Sequence, residues 1–316
     1  MLEIPDFDPK KMRSAIRRGY FRVALVLLLV ASSGIVSSYL ATGLLQRRHP
    51  LTDSLLIVIE GSLRMSDPAF EVSYRDSRRG SLTTTYLYDR RPLRAAGTFV
   101  EEAADQVEVD VGLFGDIESP PRLPYIRSRL ADVLEKLGTG KPTKASAEAA
   151  LSILPEDMTA LAVVEFAQPL TADQARAFVE EHNALPTRVV YGVQQGSAPI
   201  VSGPEMFPDL KAVLTNTGKP GTTVERVVTG PVCLAEGLAE LRRWVGTLGD
   251  DDASTLAVFN LDLPRLKQAA SQGLAYAYID EVRTVKELRT LLKDPQVRSV
   301  QVADLAYNLD IEVVDP

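Results

Sequence analysis

In 316 residues there is one cysteine, Cys233, one tryptophan, Trp244, and two histidines, His49 and His182. A lone cysteine excludes a disulfide within the chain, and two histidines beside it cannot build a cysteine-histidine metal cluster. A serine or cysteine hydrolase needs a base next to its nucleophile. His49 lies at the edge of an apolar run, and His182 ends an expected helix among Glu180, Glu181 and Asn183, where the helix dipole favours a solvated cation. No G-x-S-x-G elbow, H-E-x-x-H pair or serine-lysine signature accompanies either histidine. Basic residues are in deficit too. Lys and Arg number 35 against 42 Asp and Glu, for a net charge of −7, which argues against direct binding of nucleic acid. Apolar residues at 45% and charged residues at 24% are ordinary for a folded protein and exclude wholesale disorder.

The strongest signal is Val23–Leu45, 23 residues without a formal charge. At 1.5 Å per residue such a helix spans a hydrocarbon core of about 30 Å with some tilt. Residues 1–22 carry six basic residues (Lys10, Lys11, Arg13, Arg17, Arg18, Arg22) against three acidic ones, whereas Arg47 and Arg48 alone open the far side. The positive-inside bias places the N-terminus in the cytoplasm and the chain after about residue 46 outside. A cleavable leader is the competing reading, because Val23–Val30 is followed by Ala31-Ser32-Ser33. Apolar character resumes at once through Ile35, Val36, Leu40, Leu44 and Leu45, which a leader does not need. Arg17-Arg18 lacks the surroundings of a twin-arginine signal. Ser32, Gly34, Ser37, Ser38 and Gly43 form either a helix-packing face or the ordinary small-residue content of such a helix.

The remainder divides into residues 46–144, a juxtamembrane β-rich unit with a linker helix, and residues 145–316, an α+β unit. Leu55, Leu56, Val58, Ile59 and Leu63 fit a helix or a strand. Phe70–Tyr74 and Leu82–Tyr88 read as strands joined by Asp76-Ser-Arg-Arg-Gly80, and Val107–Leu113 alternates as a half-buried strand. Ile126, Leu130, Leu134 and Leu137 form a helical stripe that Gly138 ends, and Gly138–Lys144 reads as a polar linker. Two similar units follow. Thr159–Phe166, a helix opened by the capping box Thr171-Ala-Asp-Gln174, and Arg188–Gln194 make the first. Leu274–Glu281, a helix opened by Thr284-Val-Lys-Glu287, and Val297–Val302 make the second. The expected class is α+β, with a ferredoxin-like split β-α-β plan and a long insertion. In that insertion Leu234, Leu238, Leu241, Val245 and Leu248 form one stripe. Trp244 beside it marks a binding face or, more ordinarily, core.

Sites of chemistry fail on inspection. Gly138-Thr-Gly-Lys141 suggests a phosphate loop, but Glu135 stands where the first glycine belongs and Pro142 where the hydroxyl belongs. Asp250-Asp-Asp252 lacks the alternate spacing and downstream glutamate of a calcium loop and reads as a turn and cap. Cys233 after Gly230-Pro231 is a small buried thiol by default, with intermolecular pairing the alternative. Arg75, Arg78, Arg79, Arg90, Arg91 and Arg94 form a local basic stretch that suits anionic headgroups, wall polymers or simple protection of strand edges. A paired-carboxylate glycosidase carries no motif, and nothing in the sequence singles out a pair. The expectation is a protein without enzymatic activity, cofactor or metal.

Residues 147–182 (AEAALSILPEDMTALAVVEFAQPLTADQARAFVEEH), Val190–Val193, Val228–Pro231 and Leu288–Asp304 resemble the C-terminal domain of sigma factor regulators. The basic tail, single apolar span and juxtamembrane segment are similar to the matching regulator N-terminal region. The resemblance implies a single-pass membrane regulator of an extracytoplasmic-function sigma factor, an anti-sigma factor or an accessory to a separate anti-sigma subunit. Its exported domain would sense an envelope protein or polymer. The cytoplasmic tail has no histidine or cysteine with which to build a zinc-type anti-sigma domain, so it would bind as one short helix folding on its partner. Lys10, Lys11 and Arg13 are the candidate contacts, Arg17 and Arg18 lying too near the membrane. The alternative is an envelope scaffold or binding module of a wall-synthesis or division complex.

Overall fold

The computed structural model describes residues 19–34, 36–37, 51–80, 83–96, 98, 104–112, 115–117, 121, 128–194, 197–204 and 231–307. Residues 19–34 and 36–37 are helical, and Val23, Leu25 through Val30 and Val36 are all exposed. Among the described residues no helix is both long and apolar enough to cross a membrane. The expected span is described only in part, since residue 35 and residues 38–45 lie outside the described set.

The rest is mixed α+β, with two antiparallel sheets. Helix α1 is Leu51–Ser66, which resolves the ambiguous apolar stretch as a helix. Strands β1 (Phe70–Arg79), β2 (Thr83–Pro92) and β3 (Asp105–Gly112) form a meander in the order β1-β2-β3. Alternation builds this sheet: Val107, Val109 and Val111 face inward with Tyr86 and Tyr88, while Glu108 points to solvent. A short helix α2 (Arg129–Glu135), capped by Ser128, follows with Leu130, Val133 and Leu134 buried.

The second sheet begins after helix α3 (Lys144–Ser152), capped by Thr143. Strand β4 (Thr159–Leu170) leads through helix α4 (Ala172–Glu181) into β5 (Pro186–Gln194) and the short β6 (Ser197–Ser202). Helices α5 (Pro231–Thr247), α6 (Ala253–Val258) and α7 (Leu263–Gln272) precede β7 (Ala275–Thr284), helix α8 (Val285–Leu291) and β8 (Val297–Ala306). Both expected capping boxes are present: Gln174 N–H donates to Thr171 Oγ1 and Glu287 N–H to Thr284 Oγ1, each at 3.3 Å. The strand order is β6-β5-β7-β4-β8. Thr159–Phe166 is buried at every position because this sheet is covered on both faces. Ala160, Ala162, Val164 and Phe166 face α4, α5 and α8, and Leu161 and Val163 face α2 and Phe70. The edge strand β6 carries Pro199, which has no N–H, and Arg265 Nη2 donates to the Ala198 carbonyl at 2.7 Å.

Candidate functional site

Helix α1 is the first element described after the apolar segment, and its seat in the body defines the candidate site. Val58, Ile59, Leu63 and Met65 are buried, and the helix lies between the small sheet and α5. Trp244 of α5 crosses α1 at Gly61, where a Cβ would fall well inside contact distance of the indole. Its Nε1–H donates to the Ile57 carbonyl at 3.3 Å. Only glycine admits the ring this close, so the lone tryptophan is core, at 2% exposure, and not a binding face.

The far end of α1 turns into β1 through a charged junction. Arg90 is 4% exposed, clasps the Asp67 carboxylate through both Nε and Nη2, and holds its guanidinium carbon 3.3 Å from the centre of the Phe70 ring. Burial pushes the Asp67 carboxyl above its usual range even though Arg90 and Arg188 oppose the shift. Arg188 Nη1 donates to the carbonyls of Pro68 (3.0 Å) and Phe70 (3.2 Å), so a residue of β5 fastens the start of β1. The end of β2 is fastened as well: Ala96 N–H donates to the Glu281 carbonyl at 2.7 Å, and Arg94 lies 3.5 Å from Asp304. Burial, aided by Glu71, raises the Glu281 carboxyl, which accepts from Thr187 Oγ1 at 2.8 Å.

Beside this junction is a cavity of about 480 Å³, lined by Ser66, Asp67, Pro68 and Ala69 from the α1–β1 turn, by Ala131, Leu134 and Glu135 of α2, and by Ser197–Pro199 of β6. That volume lies in the range of small-ligand sites. Its mixed lining of short side chains, one clasped carboxylate and one exposed carboxylate suits a small polar ligand with an apolar side. Asp67 is held by Arg90 and serves the junction. Among the described residues no group of three His, Cys, Asp or Glu side chains is placed to hold a metal ion.

The residues singled out in the sequence fall as follows. Lys10, Lys11, Arg13 and His49 lie outside the described residues. Of Cys233 only the helical backbone in the first turn of α5 is described. His182 caps the end of α4, stacks on Phe178 at 4.5 Å and sits 3.0 Å from Asp294, so it is partly enclosed and not simply solvated. The Gly138 N–H donates to buried Glu165 at 3.1 Å, which ties the expected polar linker to β4 and spends the amide a phosphate would require. Asp250–Asp252 form a single 3₁₀ turn in which Asp252 Oδ2 accepts the Gly249 N–H at 2.8 Å. Sequence reasoning missed Gly61, Asp67, Arg188 and Glu281. Only Gly61 gave a signal, as a glycine inside a helical apolar pattern.

Comparison with known proteins gives no relative: no family model, no curated protein and no solved structure matches the chain.

Proposed function

We propose that this chain is a single-pass membrane protein whose exported α+β part senses the envelope and regulates an extracytoplasmic-function sigma factor, alone or beside a separate anti-sigma subunit. The observation that carries the reading is the burial of α1. The first helix after the apolar segment is clamped by Trp244 at its middle and by Asp67–Arg90 at its end. A ligand in the 480 Å³ cavity touches Ser66–Ala69, the turn that sets the seat of α1. Binding outside then shifts a helix joined to the membrane segment, by changed packing or by exposing the connection to proteolysis. The exposed, largely apolar helical residues 19–34 support the anchored reading. With β6 and the helices that follow it set aside, the order β5-β7-β4-β8 with α4 and α8 as the two crossovers supports a ferredoxin-like split β-α-β plan carrying an insertion. In this reading no catalytic step, cofactor or direct nucleic-acid contact is involved.

A second reading, an envelope scaffold for wall synthesis or division, is favoured by residues 1–22 holding no histidine or cysteine with which to build a zinc-type anti-sigma domain. Crosslinking and affinity capture of the full-length chain from solubilised membranes, with residues 1–22 deleted as the control, separates the two. Capture of a sigma factor or anti-sigma subunit that depends on Lys10, Lys11 and Arg13 supports the regulator. Capture of envelope proteins unchanged by the deletion assigns the function to the exported part and removes the sigma connection.

A further inference from the structure

We infer that the tip of the β1–β2 hairpin is a second membrane contact, in which Arg78 and Arg79 bind the anionic phosphates of lipid headgroups. The inference rests on the reading of residues 23–45 as a membrane span.

From Leu45 to Leu51 there are six Cα steps, at most about 22 Å of chain, so α1 enters the body close to the membrane surface. The first turns of α1 lie at one end of the small sheet. A Cβ on Gly115 would lie 3.7 Å from Leu55 Cδ2. Gly115 N–H donates to Gly112, which pairs with Thr83, and the Thr83 carbonyl accepts the Gly80 N–H at 2.8 Å to close the hairpin. The last turn of α1 lies at the other end of that sheet, where Asp67 meets Arg90 and Arg90 pairs with Val72. Helix α1 and strand β1 therefore run antiparallel, and the tip returns to the end at which the chain enters. Sixteen helical residues rise about 24 Å, and ten strand residues about 33 Å, so β1 reaches past the start of α1.

Charge is sorted along the same axis. At the far end Arg90 pairs with Asp67 and Asp105, Arg94 with Asp304, and Arg91 stands opposite Glu71 across the ladder. Midway along β1, Arg75 pairs with Asp89 at 3.3 Å with about half its side chain still exposed. Arg78 and Arg79 are exposed and form no ion pair among the described residues. Asp76 Oδ1 accepts the Ser77 N–H at 2.7 Å and Asp110 accepts Thr85 Oγ1 at 2.6 Å, and among the described residues neither carboxylate forms an ion pair with Arg78 or Arg79. Residues 1–22 are net positive in a chain of net charge −7, so the exported part is strongly acidic and this tip runs against its charge. Guanidinium groups match phosphate oxygens in a planar, two-point geometry.

The test uses the full chain in nanodiscs of phosphatidylcholine, with or without about one third phosphatidylglycerol. Arginines are modified with phenylglyoxal and read by mass spectrometry, Arg91 at the far end serving as the internal reference. Arg78 and Arg79 should react roughly fivefold more slowly in the anionic discs, as expected for one arginine held near such a surface. The protection should vanish near 1 M salt, where the screening length is ~3 Å. Equal reactivity in the two lipids, from protein that has entered the discs, overturns the hairpin contact and leaves the membrane span standing. Protein that enters neither disc without detergent overturns both. Protection that appears only with added soluble polyphosphate overturns the lipid assignment in favour of a wall-type polyanion.

Discussion

Trp244 presses the Nε1 edge of its indole against Gly61, with the ring N–H on the Ile57 carbonyl, and so joins two helices through residues more than 180 positions apart in the chain. The pairing makes the sign of a mutation depend on its partner. Gly61→Ala pushes a methyl group into the ring and should destabilise by about 1–3 kcal/mol. Trp244→Ala should cost about 3–5 kcal/mol through the cavity it leaves. In the Trp244→Ala background the clash is gone, and Gly61→Ala should turn stabilising by about 1 kcal/mol through helix propensity. Urea unfolding of the four proteins measures this cycle; an unchanged sign would mean that the two residues are not in contact.

Asp280 supplies the pH dependence. It is fully buried, and burial raises its carboxyl to about 6 against the backbone N–H groups of Val282, Arg283 and Leu185 and the Arg283 guanidinium. A raised carboxyl binds its proton more tightly when folded, so its contribution to stability is present at low pH and is lost as pH rises through the folded value. Between about pH 4 and 6 the loss is about 3 kcal/mol, because each tenfold gain in proton affinity on folding is worth ~1.4 kcal/mol. Asp280→Asn should flatten the profile over that window in urea midpoints taken at successive pH values. A wild-type profile that rises with pH there, and does so equally in the variant, would refute the assignment.

Arg283 holds the same region from the other side, donating to the His182 carbonyl at 2.6 Å and to the Asn183 carbonyl at the end of α4. Arg283→Met leaves those acceptors and the Asp280 carboxylate buried without a cation, a loss of about 3–5 kcal/mol. The double variant Asp280→Asn with Arg283→Met should recover part of it, read as a higher midpoint temperature than that of Arg283→Met alone.

Arg188 fastens one sheet to the other. Arg188→Met removes the Nη1 group that donates to both the Pro68 and Phe70 carbonyls and should destabilise by about 2–4 kcal/mol. It should also raise the Glu281 carboxyl further, because Arg188 opposes the burial there. Unfolding curves, and the NMR titration of a labelled Glu281, check the two effects separately.

Glu165 settles the reading of the glycine-rich turn. It accepts from Gly138 N–H and from Ser299 Oγ and lies 3.2 Å from Arg298. Glu165→Ala should cost about 1–3 kcal/mol. Phosphate or nucleotide should produce no thermal shift in the wild type; a clear shift would restore the phosphate-loop reading.

Much of the fold was legible in the residues because its signals are local. The boxes at Thr171 and Thr284 need only four residues each, and the alternation of Val107, Val109 and Val111 needs five. Leu55 to Leu63 left helix and strand open, since its five apolar residues fit either period until Trp244 and the small sheet decide. Ser197–Ser202 went unread as a strand because Pro199 and two serines look like a loop; pairing with β5 supplies what propensity does not. Helix α2 was grouped with the residues before it, yet it packs on the second sheet. The candidate site was the least legible part. Arg188 with Pro68 and Arg90 with Asp67 are partners across 120 and 23 residues, and no spacing rule announces such pairs.

The capped edge of β6 bears on crowding. Proteins confined to one surface share an orientation, so their sheet edges meet edge to edge far more often than in free solution. With the Ala198 carbonyl occupied by Arg265 and no N–H at Pro199, such encounters at β6 find its template for a sixth strand interrupted at these two residues. On the proposed membrane surface the larger sheet resists two-dimensional polymerisation at this edge.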